Sequence, residues 1–250
     1  MTPALRTQGL TKAWGRFVAN DDVTFTLPVG ARHALIGPNG AGKTTLVNVL
    51  AGVLAPTRGD VYLGDARITR LTQHERVARG LARTFQVTNL FPGLTPLEST
   101  TLAVCERTGR ARSLLRPWMR CTAEVNEART LLASLGLAGV ESVETRHLPY
   151  GQQRLLEIAL ALATKPRVLL LDEPAAGVPK GESDMVFRAI AALPAEVTVL
   201  FIEHDMDLVF RFAQRITVLV GGRILMEGSP DEVSRDARVR EVYLGEETNG

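Results

Sequence analysis

The sequence predicts an α/β fold: a mixed sheet with an N-terminal antiparallel part, interrupted by an inserted all-helical subdomain. Three observations predict it. Short apolar, β-branched runs alternate with helical patterns between residues 167 and 220. Similar short strands, at 4–10, 22–27 and 31–36, recur before the first helical pattern. Between about 95 and 164 the strand pattern stops and helical periodicity replaces it.

In chain order, a Gly-rich turn follows the strand at 31–36 and opens a helical pattern, KTTLVNVLAGVL, over 43–54. Residues 60–63 and 82–86 read as further strands. Thr95-Pro96-Leu97-Glu98 combines a Thr N-cap, Pro at the first helical position and Glu at the third, which starts a helix. AEVNEARTLLASLGL (123–137) is amphipathic at helical period, and another helix reads from Gln152 to Lys165. The runs at 168–171 and 197–202 are apolar on both alternating faces, as parallel strands covered on both sides are. Helices at 180–192 and 205–213 and a strand at 215–220 complete the alternation. Gly221-Gly222 reads as a hairpin turn into RILMEG, and Ser229-Pro230-Asp231-Glu232 caps a C-terminal helical tail over 229–250. The expectation is one domain over 1–250, with the helical subdomain at 95–164 set into a core that resumes after it.

Composition narrows the classes of function. The chain has 250 residues, of which 45% are hydrophobic, enough to bury a sizeable core. A formal net charge of +2 gives no global electrostatic footprint for nucleic acid. Cys105 and Cys121 match no metal or CxxC spacing and fit two free thiols in a reducing compartment. The N-terminus lacks the apolar stretch of a signal peptide. No apolar run approaches the roughly 20 residues that span a bilayer; the longest, LLEIALALA, carries Glu157. A peripheral role at a membrane stays open.

GPNGAGKTT (37–45) fits G-x-x-x-x-G-K-[ST] in full, and it follows the apolar strand HALI and opens a helix. Gly37, Gly40 and Gly42 allow positive φ and close backbone approach, so the N–H groups of Gly37, Pro38's neighbours, Asn39, Gly40, Ala41 and Gly42 can ring a phosphate. Lys43 puts a charge on the β- and γ-phosphates, the Thr44 hydroxyl is placed for Mg²⁺, and Thr45 for the α-phosphate. The motif makes the α/β core a P-loop NTPase core. In VLLLDEP (168–174) an apolar strand ends in two carboxylates: Asp172 to hold Mg²⁺ through its water shell, Glu173 to orient and deprotonate the attacking water. Gln86 and His204 each follow an apparent strand, at the edge where open α/β sheets bind ligands. Gln86 can reach Mg²⁺ or the lytic water, and His204 the γ-phosphate. Trp14, in KAWGRF, can stack on adenine.

Taken together and in this order, these motifs resemble the nucleotide-binding subunits of ABC (ATP-binding cassette) transporters over nearly the whole chain. The resemblance implies ATP and Mg²⁺ as cofactors and ATP hydrolysis coupled to transmembrane transport. It makes LPYGQ (Leu148, Pro149, Tyr150, Gly151, Gln152) the signature that closes on the γ-phosphate held by a facing cassette, with donors around Gly151 and Gln152. The family's usual form is L-S-G-G-Q; here Pro149 stands at the serine position and Tyr150 at a glycine, and Pro179 stands where many relatives place an aspartate. One reading of these departures is a dimer with a second, different cassette. YGQQRLLEIA, LDEPAAGVP and the tail VREVYLGEE look like importers for branched-chain amino acids and similar amides. That implies integral membrane permease subunits, a periplasmic or extracellular substrate-binding protein, and a peripheral position on the cytoplasmic face of the plasma (inner) membrane. The loop RTGRARSLLRPWMR (107–120), with five arginines and Trp118, is a solvated basic loop or a contact for anionic headgroups or the permease. The competing function is a soluble cassette ATPase acting on nucleic acid or ribosomes. The single cassette, the short insert and the near-zero charge favour the importer.

Overall fold

The computed structural model describes residues 3–84, 90–110 and 122–247. The strands are β1 (Leu5–Trp14), β2 (Phe17–Val23), β3 (Thr26–Leu27), β4 (Arg32–Ile36), β5 (Arg58–Leu63), β6 (Ala66–Arg67), β7 (Leu81–Arg83), β8 (Val168–Asp172), β9 (Thr198–Ile202), β10 (Arg215–Val220) and β11 (Arg223–Gly228). The helices are α1 (Lys43–Ala51), α2 (Gln73–Ala78), α3 (Pro96–Arg107), α4 (Thr122–Ser134), α5 (Tyr150–Leu162), α6 (Lys180–Ala191), α7 (Met206–Phe212), α8 (Pro230–Arg235) and α9 (Ala237–Glu247). An N-terminal antiparallel sheet runs β2-β1-β5-β6, with β3 paired to β1. The second sheet runs β11-β10-β4-β9-β8-β7; all its pairs are parallel except β10 with β11.

Burial follows the alternation in the sequence. Leu169 and Leu171 of β8 and Val199 and Phe201 of β9 face a core shared with α4, α5 and α6. Val168, Leu170, Leu200 and Ile202 point the other way, into a core shared with α1 and the antiparallel sheet. A strand with period two and no polar face has to be covered on both sides.

Six expectations are corrected. β1 runs on to Trp14 and turns back through Gly15 and Arg16 into β2, a hairpin absent from the sequence reading. The single strand expected at 22–27 is broken at Thr24 and Phe25, because the Thr7 hydroxyl donates to Val23 O (2.8 Å) and accepts from Phe25 N–H (3.0 Å). β6 and α2 were not anticipated; α2 has a complete capping box from Thr72 and Glu75 but only six residues, too few to register a period. α1 stops at Ala51, before the expected residue 54, with Gly52 in the left-handed conformation (φ 82). α5 begins at Tyr150 rather than Gln152, since Pro149 (φ −53, ψ 150) supplies the extended backbone of an N-cap. β7 covers only Leu81–Arg83 of the strand expected at 82–86; Phe85 and Gln86 lie outside the described residues.

Two buried arginines end helices without a carboxylate. Arg76 donates to Val49 O (2.7 Å), Leu50 O (2.6 Å), Thr69 O (3.0 Å) and Leu71 O (3.1 Å), capping the negative end of α1. Arg32 donates to Leu193 O (2.5 Å) and Val197 O (2.6 Å), holding the approach to β9. Within the basic loop, Arg107 pairs with Glu127 and Arg110 with Glu124. Arg112, Arg116, Arg120 and Trp118 lie outside the described residues.

His33, in the middle of β4's approach to the phosphate loop, is fully buried beside Phe25, with Nε2 2.8 Å from Thr217 Oγ1. Burial, with a smaller push from Arg215, lowers its pKa from 6.5 to about 4. A depressed histidine contributes stability that is whole above pH 6.5 and is lost as pH falls towards 4. Between pH 7 and pH 5 the wild type should therefore lose about 2 kcal/mol more than His33→Asn, read from urea unfolding at the two pH values.

Candidate active site

The carboxyl ends of four neighbouring parallel strands meet in one line. In sheet order β4, β9, β8, β7, they lead into the phosphate loop, Glu203-His204, Glu173, and the segment that contains Gln86. Ligand sites of open α/β sheets form at such an edge.

The phosphate loop is packed by backbone on its outer side. A Cβ at Gly37 would lie 2.1 Å from Leu219 O, and one at Gly42 (φ 96) 2.2 Å from Ala19 O. Asn20 on β2 donates its side-chain amide to Gly42 O (3.1 Å), and Gly222 in the β10–β11 turn donates its N–H to Ala41 O (3.0 Å). Lys43 Nζ donates back to Gly37 O (2.6 Å) and Pro38 O (2.9 Å), so its charge lies over the loop. Asn39, Gly40 and Thr44 are exposed, and Thr45 is half-buried at the first turn of α1. Trp14 is 47% exposed at the β1–β2 hairpin tip, stacked on Phe17 with ring centroids 6.3 Å apart. That exposure makes it a platform rather than core; Phe17 was not singled out from the sequence.

Asp172, at the end of β8, is fully buried. Its Oδ2 accepts from Arg83 Nη2 at 2.7 Å, and Arg83 Nη1 donates to Asn48 Oδ1 of α1 at 2.5 Å. Its Oδ1 is buried with no hydrogen-bond partner among the described residues. Glu173 has a left-handed backbone (φ 49), rare for a residue with a Cβ, and its N–H donates to Ile202 O at 3.1 Å. Its Oε1 is 4.0 Å from Nδ1 of the exposed His204. Glu203 beside it is buried; burial pushes its carboxyl above the usual range, against the pull of the Ala175 N–H bond and of His204.

The signature helix reaches this site from within the same chain. Arg154, buried on α5, donates to the carbonyls of Asp172 (3.1 Å), Glu173 (2.7 Å) and Pro174 (3.1 Å), and to Glu157 Oε2 (2.5 Å). At the helix start Leu148 is buried, Pro149 and Tyr150 are exposed, and the Tyr150 ring lies over Gly177. Pro149 offers no side-chain cap. The Gly151 N–H donates instead to Glu182 Oε2 of α6 at 2.9 Å, a carboxylate at the positive end of a helix. Gln152 is half-buried. Sequence reasoning missed Arg83, Arg154, Glu182 and Glu203. For Arg154 and Glu203 the signal was a charged residue at the border of an apolar run, which invites the question of what it pairs with.

This strand-edge arrangement is that of an ATP-binding cassette, and the chain belongs to the ABC transporter family, whose model matches residues 20–176. The particular relatives are narrower in kind. A second family model, branched-chain amino acid ATP-binding cassette transporter, matches residues 223–248. The chain is 38% identical to the high-affinity branched-chain amino acid transport ATP-binding protein BraF of Pseudomonas aeruginosa, over 98% of both chains. It is 37% identical to LivG of Escherichia coli, described in the same words, again over 98% of both. In three dimensions it resembles the crystal structure of the ADP conformation of MJ1267, an ATP-binding cassette of an ABC transporter. The TM-score is 0.83 at 32% identity, over 98% of this chain and 100% of that one.

The glycines of the loop are not equivalent. Gly42→Ala should cost about 3 kcal/mol in urea unfolding, because a backbone carbonyl cannot give way. Gly40→Ala should cost about 1 kcal/mol, for its positive φ alone, since nothing lies within 4 Å of its missing Cβ.

Proposed function

We propose that the chain hydrolyses ATP as the energy-coupling subunit of an importer for branched-chain amino acids or similar amides. One observation carries the chemistry: a strand ending in Asp172 and Glu173 lies in the same sheet as the strand that ends in the phosphate loop. The transport class rests on likeness to BraF and LivG along nearly the whole chain and on the match of the C-terminal segment.

The loop N–H groups and Lys43 bind the ATP phosphates, and Trp14 stacks on adenine. The donors also fit Mg²⁺. Asp172 holds a buried carboxylate oxygen without a partner among the described residues, and Thr44 is exposed at the start of α1. Among the described residues no three His, Cys, Asp or Glu form a metal cage. A magnesium ion that keeps its waters and the substrate phosphates needs none. Gln86 is the third ligand of the proposal and lies outside the described residues. Bound Mg²⁺ supplies neutralisation of charge on the transferred phosphoryl group. Glu173 accepts the proton of the attacking water, and His204 holds the γ-phosphate in line.

The partners follow from the same reading: permease subunits in the membrane, a substrate-binding protein outside it, and a second cassette. Pro149 lacks the serine hydroxyl and Glu182 occupies the Gly151 N–H, which favours a different chain as the second cassette. Among the described residues no helix is long and apolar enough to cross a membrane. Peripheral attachment to the cytoplasmic face is part of the same proposal.

A tagged pull-down from gently solubilised host membranes should recover two multi-span proteins and a second cassette. Recovery with ribosomes or nucleic acid alone would overturn the transport reading. In the recovered complex Glu173→Gln should bind ATP normally and lose about 1,000-fold in turnover, and turnover near wild type would remove Glu173 as the base.

A further inference from the structure

One buried carboxylate touches both sides of the catalytic cluster. Glu203, the residue after β9, is 1% exposed. Its Oε1 accepts the N–H of Ala175 at 2.9 Å, and its Oε2 accepts the N–H of His204 at 3.3 Å. Ala175 lies two residues beyond Glu173 in the loop after β8. His204 Nδ1 is 4.0 Å from Glu203 Oε2 and 4.0 Å from Glu173 Oε1. Glu173 itself holds a left-handed backbone (φ 49), a conformation that persists only where the surroundings enforce it.

We propose that Glu203 is a positioning residue: one carboxylate pins the loop that carries Glu173 and the backbone of His204, so that base and imidazole are presented together. The inference rests on the proposed roles of Glu173 and His204 in ATP hydrolysis. The chemistry calls for a carboxylate. Two N–H groups from two chain segments converge on one side chain, and only two acceptor oxygens satisfy both. Glutamine has one such oxygen, and its amide would turn a donor towards the other N–H. Aspartate is one methylene shorter and cannot span both. Neither bond involves a residue of the phosphate loop, so their loss disturbs the alignment of Glu173 and His204 and leaves nucleotide binding to Lys43 and its loop. Misplacement of a reacting group by about 1 Å can cost on the order of 100-fold in rate.

The test uses the full chain in the complex recovered from membranes, as wild type, Glu203→Ala, Glu203→Gln and Glu173→Gln. Measured are kcat and KM for ATP, the Kd of ADP, and amide exchange at Ala175 and His204. The expected result for Glu203→Ala is a kcat about 100-fold lower, with KM and the ADP Kd within about 2-fold and both amides exchanging faster. Glu203→Gln should fall between, with only one of the two amides released; it also decides the matter if the alanine variant does not fold. The proposal is overturned if the Glu203 variants keep kcat within about 2-fold of wild type while Glu173→Gln stops turnover. It is equally overturned if kcat and ADP affinity fall together, which marks a general brace, or if the two amides exchange at the wild-type rate. Normal turnover by Glu173→Gln would instead remove the underlying reading of the base.

Discussion

Backbone pressed against backbone at the phosphate loop is the constraint on which the rest of the structure depends. Gly37 sits against the carbonyl of Leu219 on β10, and Gly42 against the carbonyl of Ala19 on β2. There is no room for a Cβ at either place. The loop therefore ties three pieces together: the parallel sheet through β4, the antiparallel sheet through β2, and the β10–β11 turn through the bond from Gly222 to Ala41. The two sheets are also joined directly, by the bond from the Asp21 N–H to Gly222 O (2.9 Å), and the glycine contacts give the loop N–H groups a fixed direction. A phosphate site built from backbone donors works only when the backbone does not reorganise.

The Asp172 end of β8 is held differently, by buried charge. Arg83 ties the Asp172 carboxylate to α1 through Asn48, and Arg154 gathers the carbonyls of Asp172, Glu173 and Pro174 onto α5. Such groups are costly to bury alone and effective when their hydrogen bonds are complete. The consequence is mechanical. The helix that begins at the signature is bonded to the backbone of the residues proposed to carry out hydrolysis, and the same helix end is bonded through Gly151 to Glu182 on α6. A displacement of α5 cannot leave the Glu173 loop where it was.

Arg32 and Arg76 follow the same logic in the scaffold. Each spreads one charge over several carbonyls at the end of a helix or loop, where backbone acceptors would otherwise be buried without donors. They fix the segment that enters β9 and the end of α1.

The sequence by itself determined the α/β class, the order of strands and helices in the second half, the phosphate-loop motif, and the strand that leads into Asp172-Glu173. These are local properties: period two, period 3.6, capping residues, and a nine-residue motif whose spacing is its mechanism. Short elements such as α2 and β6, and the break between β2 and β3, were not legible, because they span too few residues for a period to repeat or because a distant hydroxyl, that of Thr7, decides them. Only the tertiary structure decided that Trp14 stands exposed on Phe17, that Glu182 and not a side chain of the helix start caps α5, and that Arg83, Arg154 and Glu203 surround the loop after β8. Trp14 and Phe17 meet across a hairpin turn; each of the other contacts joins residues far apart in the chain, and a buried charged side chain announces that it needs a partner without saying which one.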